Sequence, residues 1–227
     1  MELYYKACEN LAKIVMNLIG MSLEFDTGLL YRYFESHTAF IRLNLYEAAN
    51  YNKSSVAEII DGETQAINDA GLGISRHTDA GAITILLQDN VAGLEVYSGS
   101  KQDNNDGEWL LVEPVPGTLT VNTGDMVQIW SNNRYKAAEH RVRASTTRDR
   151  YSIAFFYNPS YDAVVEPLKN VHGKYACGED AAYVPVSWGA FRRLRFMGDY
   201  SDLGEEVQIE HYRTGDRVDG NARAACV

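Results

Sequence analysis

The sequence predicts a mainly β domain with flanking helices, a sandwich or jelly roll, on three observations. Short apolar and β-branched runs recur from about residue 39 to residue 157, punctuated by Gly, Pro, Asn and Asp, as in many short strands joined by turns. Several of these runs alternate cleanly between apolar and polar residues, as two-faced strands do. Helix-period patterning is confined to the two ends of the chain.

Residues 2–19 are predicted as an amphipathic helix, with Leu3, Ala7, Leu11, Ile14, Val15 and Leu18 at three- and four-residue steps. Lys6, Glu9, Asn10, Lys13 and Asn17 fill the other side, and Gly20 is the expected stop. A second short helix is expected over about 27–34. Residues 39–46 alternate, with Ile41, Leu43 and Leu45 on one side and Arg42, Asn44 and Tyr46 on the other. The polar stretch 47–70 is expected to be a loop. Further strands are predicted at 72–78, 82–88, 93–97, 109–113, 118–122, 126–130, 137–143 and 150–157. Turn signals part them at Asp89-Asn90, 98–107, 114–117, Gly124-Asp125 and Asn132-Asn133. A last helix is expected at about 187–196, with Arg192, Arg193 and Arg195 exposed, followed by a tail over 213–227.

A chain of 227 residues suits one domain able to bury a large part of its surface. Its net charge of −10 argues against nucleic acid or an anionic membrane as the main partner. A small-molecule substrate is expected instead, for a monomer or weak oligomer. Cys8, Cys177 and Cys226 are odd in number, far apart and without a C-x-x-C pair. That pattern speaks against a disulfide framework or a thiolate zinc site and for a reducing, cytoplasmic setting. No apolar run approaches the length of a membrane span. Met1-Glu2-Leu3-Tyr4 lacks the basic region and apolar core of a signal peptide.

The chemistry concentrates in His77-Thr78-Asp79 and in His140, 61 residues after Asp79. Two imidazoles and a carboxylate can fill one triangular face of an octahedral metal and leave the opposite face open, as in non-haem Fe(II) oxygenases. The triplet alone is weak, because a strand-end turn with Asp79 capping Gly81 has the same sequence, and a lone mid-strand histidine is more often a packed core residue. Together they favour ligation: the pair stands just before the apolar run 83–87, at a strand end where ligands can converge from a rigid frame. A zinc hydrolase would use a similar set, but H-E-x-x-H is absent. There is no nucleophile elbow or P-loop, and Gly71-Leu72-Gly73 continues as Ile74-Ser75-Arg76, which is not a dinucleotide fingerprint. His37, His172 and His211 are expected at the surface.

Arg150 and Ser152 share a strand face with Ala154 and Phe156. They could form a surface salt bridge and an ordinary strand serine. An arginine aimed into an apolar interior, however, needs an anion, and a guanidinium fork beside a hydroxyl makes a carboxylate clamp. Triad and clamp together suggest an iron enzyme that takes an oxo-acid co-substrate. Period-2 geometry aims all these pairs, with Asn44 and Tyr46, toward one side, the barrel interior. The opposite faces, Ile41/Leu43/Leu45 and Ile153/Phe155, are apolar and need cover, for which the two terminal helices are the candidates.

Collinear with these residues run Arg42-Leu43-Asn44-Leu45-Tyr46, 73–87 with Gln88-Asp89, Gly93-Leu94-Glu95-Val96, Trp109, Val121-Asn122-Thr123-Gly124-Asp125, Ala138-Glu139-His140-Arg141-Val142, 150–156 with Asn158-Pro159, and Gly198-Asp199-Tyr200. In this order, over roughly 39–212, the chain resembles the 2-oxoglutarate- and Fe(II)-dependent oxygenases of the isopenicillin N synthase-like group. The resemblance implies a double-stranded β-helix (jelly roll, cupin-like barrel). It implies iron on His77, Asp79 and His140, and 2-oxoglutarate chelating that iron with its distal carboxylate on Arg150 and Ser152. Tyr46 and Asn44 would help hold the co-substrate, and Phe156 would pack against the prime substrate. The cofactors implied are Fe(II), 2-oxoglutarate and O2, with ascorbate as a supporting reductant. The activity implied is hydroxylation or desaturation of a small organic substrate with release of succinate and CO2. The alternatives are a 2-oxoglutarate-independent iron oxidase of the ring-closure type and a truncated, non-catalytic jelly-roll binding module. Two departures stand out. Glu47-Ala48-Ala49 follows Tyr46 where members continue into prolines. The capping region that members carry upstream is expected to be absent, leaving 1–38 as a helical segment packing on the barrel, 39–212 as the oxygenase domain and 213–227 as a tail.

Overall fold

Alternating segments become strands because each can bury one face and hydrogen-bond along both edges. The computed structural model describes residues 1–26, 28–48, 59–60, 63–64, 72–99, 107–200 and 207–215. Its strands are β1 (Phe40–Tyr46), β2 (Ile59–Ile60), β3 (Glu63–Thr64), β4 (Leu72–His77), β5 (Ile83–Gln88), β6 (Leu94–Tyr97), β7 (Trp109–Leu111), β8 (Thr120–Thr123), β9 (His140–Arg143), β10 (Arg150–Tyr157), β11 (Val164–Val165) and β12 (Val186–Ser187). The helices are α1 (Glu2–Ser22), α2 (Asp125–Trp130) and α3 (Trp188–Tyr200).

Two four-stranded antiparallel sheets, ordered β1-β10-β5-β8 and β4-β9-β6-β7, face each other across one cavity. This is the jelly roll that the punctuated short strands predict. The register of the first sheet sets the level of its own inward residues. Tyr46 pairs with Arg150, Asn44 with Ser152, Arg42 with Ala154 and Phe40 with Phe156. Ser152 in turn pairs with Gln88, Ala154 with Leu86 and Phe156 with Thr84. In the second sheet, register shifts along β4 bring His77 directly opposite His140.

The outer face of the first sheet is covered by α1, which buries Cys8, Ala12 and Met16. Tyr5 meets Phe155 edge-on at 5.2 Å between ring centroids. Phe34 stacks on Tyr157 at 4.5 Å, and Trp130 and Phe191 complete the same core.

Several expectations need correction. The stripe chosen for α1 is rotated: Leu3, Ala7, Ile14 and Leu18 are exposed, and the packed face runs through Tyr4, Cys8, Ala12 and Met16. Bulky apolar residues lie on both sides of this helix, so spacing did not single out one stripe. Gly20 does not stop it; the helix continues to Ser22 and Leu23 caps it, with Glu24 turning at φ 54°. The segment 126–130 is helical, not extended. Met126, Val127, Ile129 and Trp130 are all buried, and a short run buried all round has no period to tell helix from strand. The second helix is a single 3₁₀ turn, Tyr31–Phe34. Cover of the sheet ends at Ile41, since Leu43 and Leu45 are exposed. Arg195 is buried, and His37 is half-buried against Tyr157 with its Nε2 3.1 Å from Glu9. The expected loop 47–70, the turn 98–107 and the tail 213–227 lie mostly outside the described residues.

Candidate active site

His77 ends β4, Asp79 follows it in the turn, and His140 opens β9. One donor atom from each lies within 4.8 Å of the others. The imidazoles are 4.3 Å apart between centroids. Asp79 Oδ1 stands 3.9 Å from His77 Nε2 and 3.7 Å from His140 Nε2.

The surroundings fix which atoms face inward. His77 Nδ1 lies 2.8 Å from the Ser75 carbonyl and His140 Nδ1 3.0 Å from that of Ala138. A carbonyl only accepts, so both Nδ1 atoms carry the proton and both Nε2 lone pairs are turned toward the centre. Asp79 Oδ2 accepts from Thr84 Oγ1 at 2.6 Å and Asn122 Nδ2 at 2.8 Å, leaving Oδ1 toward the imidazoles. Such outer partners orient ligands and tune their basicity.

Burial, then the charge of His140 and, more weakly, of Arg42, hold His77 below its ordinary value, against the Ser75 hydrogen bond and Asp79, which act the other way. Burial pushes the Asp79 carboxyl up. His140, the hydrogen bonds from Thr84 and Asn122, and His77 outweigh it, so Asp79 sits below the usual carboxylate range. Both shifts favour the unprotonated forms that bind metal.

The turn between the ligands is tied down from behind. Asp125 N–H donates to the Asp79 carbonyl at 2.8 Å, and Arg195 Nη2 donates to the Thr78 carbonyl at 2.9 Å. A side chain at Gly124 would place its Cβ 2.5 Å from that same Asp79 oxygen, so only glycine lets the two segments approach.

Arg150 is fully buried at the other end of the cavity. Its Nε donates to Val91 O at 3.2 Å and its Nη2 to Gln88 Oε1 at 2.8 Å. Its Nη1 is buried with no acceptor among the described residues. The guanidinium lies over the Tyr46 ring at 5.1 Å. Beside it Ser152 is buried, with Asn44 Nδ2 donating to its Oγ at 3.2 Å. The charge of Asp89 acts on the cation, but no carboxylate among these neighbours touches it, and an orphaned N–H at that depth calls for an anion.

A cavity of about 250 Å³ joins the two ends, and its walls include Tyr46, Asn44, Ser152, Arg150, Phe156 and all three candidate ligands. Ile74, Leu86, Leu94, Val142 and Ala154 make the rest largely apolar. All eight residues singled out in the sequence therefore meet in one space. Thr84, Asn122, Gln88 and Arg195 were not singled out for a role. A polar residue inside an alternating apolar run, as Thr84 is in β5, is the signal that could have found one of them.

Residues 48–159 match the family model described as 2OG-Fe(II) oxygenase superfamily. The chain is 34% identical over 213 residues to gibberellin 2-beta-dioxygenase 5 of Oryza sativa subsp. japonica, covering 92% of this chain and 53% of that protein. It is 35% identical over 184 residues to the 2-oxoglutarate-Fe(II) type oxidoreductase hxnY of Emericella nidulans, covering 81% of this chain and 47% of that one. Among solved structures, JOX2 in complex with 2OG, Fe and JA superposes with a TM-score of 0.65 at 30% identity, over 84% of this chain and 50% of that one. The rice dioxygenase for auxin oxidation superposes with a TM-score of 0.68 at 25% identity, over 93% and 62%. The chain thus spans about half the length of the curated relatives it matches.

Proposed function

We propose that this chain, which belongs to the 2OG-Fe(II) oxygenase superfamily, is the Fe(II)- and 2-oxoglutarate-dependent oxidising domain for a small organic substrate. The observation that carries this is one cavity with two chemically different ends. At one end stand three oriented ligand atoms, at the other a buried guanidinium with an unsatisfied N–H.

His77, Asp79 and His140 would hold Fe(II), since two imidazole nitrogens and a carboxylate are the donor set that iron oxygenases use. Arg150 and Ser152 would take the distal carboxylate of 2-oxoglutarate. Tyr46 would pack beneath the guanidinium and Asn44 would hold the Ser152 hydroxyl in place. Phe156 would pack against the prime substrate. When bound, Fe(II) with 2-oxoglutarate supplies O2-dependent oxidation of a substrate C–H bond, by hydroxylation or desaturation, coupled to release of succinate and CO2, with ascorbate as a supporting reductant. The protein's own contribution is orientation and exclusion of water by the apolar walls.

The same reading takes residues 39–212 as the catalytic jelly roll, 1–38 as the helical segment packed on it and 213–227 as a tail. It places the protein in the cytoplasm as a monomer or weak oligomer that binds neither nucleic acid nor membrane. The negative net charge supports this, as do the free thiols of Cys8 and Cys177. No helix among the described residues is long and apolar enough to cross a membrane.

The test is anaerobic titration with Fe(II) and 2-oxoglutarate, watched for the metal-to-ligand charge-transfer band, followed by succinate measurement in air. A band at saturation and succinate release are expected. No band at saturating ligands overturns the proposal. Iron-dependent O2 uptake that needs no 2-oxoglutarate points to the ring-closure type of oxidase. A normal band with no turnover on any substrate points to a binding module.

A further inference from the structure

One charged side chain of the cavity has no part in holding metal or co-substrate. Arg42 lines the cavity from β1, on the face it shares with Asn44 and Tyr46. Its guanidinium carbon lies 5.0 Å from the centroid of the Phe156 ring. Phe156 pairs across the ladder with Thr84, whose hydroxyl holds Asp79. Arg42 therefore belongs to the metal end of the cavity. It stands four residues along β1 from Tyr46, the residue opposite Arg150, a separation of about 13 Å in a strand.

Arg42 is exposed, and among the described residues no carboxylate pairs with it. A guanidinium resting over an aromatic ring can keep its edge for a fork of N–H donors. A fork so held binds a carboxylate in two parallel hydrogen bonds. The cavity walls include the apolar Ile74, Leu86, Val96 and Val121. In a protein of net charge −10, an exposed cation at such a cavity is also where an organic anion would be drawn in.

We propose that Arg42 is the receptor for an acidic group on the prime substrate, which is a carboxylic acid with an apolar body. The carboxylate pairs with the Arg42 fork above Phe156, and the body lies against the apolar walls. One ion pair at a fixed place near the metal then decides which substrate carbon faces the oxidant. This inference rests on the proposed function of the same cavity. Arg42 acts as a specificity-determining residue, not as a ligand of the metal.

The test is calorimetric titration under argon of the protein loaded with Fe(II) and 2-oxoglutarate, a state that binds without turnover. The probes are phenylacetate, cinnamate and cyclohexylacetate, each paired with its primary amide. At least one acid is expected to bind wild-type protein roughly tenfold or more tighter than its amide, the effect of a charge-assisted hydrogen bond. Arg42→Gln should abolish that preference, with the acid losing far more affinity than its amide, and Arg42→Lys should restore part of it. The inference is overturned if wild type prefers no acid in the panel, or if the preference survives in Arg42→Gln. It is also overturned if Arg42→Gln weakens 2-oxoglutarate instead, which would put Arg42 in the co-substrate site. The charge-transfer band, read on the same samples, separates two failures. A wild type with no band loses the proposed function itself, whereas a normal band without acid preference removes only the role of Arg42.

Discussion

Replacing Arg150 with methionine keeps an unbranched stem and removes only the fork. In the ligand-free protein two effects then oppose each other. The substitution relieves a buried cation of its orphaned Nη1, a penalty of about 1–3 kcal/mol. It also strips Val91 O and Gln88 Oε1 of their donors, a loss of about 1 kcal/mol each. These nearly cancel, so the thermal midpoint of the ligand-free variant should stay within about 4 °C of wild type. With 2-oxoglutarate there is no cancellation, because a buried carboxylate would lose its charged partner, at about 2–5 kcal/mol. That corresponds to roughly 30- to 5,000-fold in the dissociation constant. Thermal unfolding with and without 2-oxoglutarate reads the first quantity, and succinate release against 2-oxoglutarate concentration reads the second. The midpoint rise given by 2-oxoglutarate should disappear, and the half-saturating concentration should climb by the factor above. An unchanged 2-oxoglutarate requirement would refute the clamp. Collapse of the ligand-free variant would instead make Arg150 a structural residue of the core.

Other consequences concern the metal end and the packing. Asn122→Ala removes one of the two donors that turn Asp79 Oδ1 toward the imidazoles; iron affinity, measured by chelator competition, should fall about 10- to 100-fold with the circular-dichroism spectrum unchanged, and an unaltered affinity would dismiss Asn122 as an orienting residue. His77 and Asp79 are both held below their ordinary values, so iron affinity should be level above about pH 6.5, the free histidine value, and fall as protons compete below it. Because the unfolded chain takes up the His77 proton at the higher pH, the ligand-free fold should also lose stability as pH drops from about 6.5 through the folded value. Affinity that keeps rising well above neutral would contradict this. Phe155→Ala, in the core beneath α1, should cost about 3–5 kcal/mol in urea unfolding, whereas Leu43→Ala, on the uncovered part of the same sheet, should fall within about 0.5 kcal/mol. Equal losses would mean that α1 is not the cover.

The candidate site was legible because its residues obey the period of two. Tyr46, Asn44, Arg150, Ser152 and Phe156 fall on inward faces by count alone, and the pairing of β1 with β10 then stacks them in one ladder. What the count could not give was depth and register. Register shifts in β4 place His77 opposite His140, and no pattern of apolar residues announces them. Thr84 and Asn122 face each other across β5 and β8, so their joint hold on one carboxylate oxygen exists only once those strands pair. The misread elements fail for a related reason. The buried residues of α2 leave no period to read, and α1 carries apolar residues on both sides of its polar positions; where the pattern offers more than one answer, tertiary packing chooses the conformation and the buried stripe.

The ligand-free cavity collects groups that each cost stability where they stand. Arg150 is a cation sealed away from water with an N–H unanswered. His77 is pushed toward its neutral form by burial and by a second imidazole a few ångströms away. A core chosen for stability alone would fill these positions with aliphatic residues, which are often as stable or more so at buried ionic sites. Instead the cost is concentrated at the two ends of one space and absent from its apolar middle. A metal at one end and a dianion reaching from it to Arg150 would relieve both costs at once, since the metal and the guanidinium would each attract the anion between them. Strain relieved only by occupancy distinguishes a working site from a core that happens to contain polar residues.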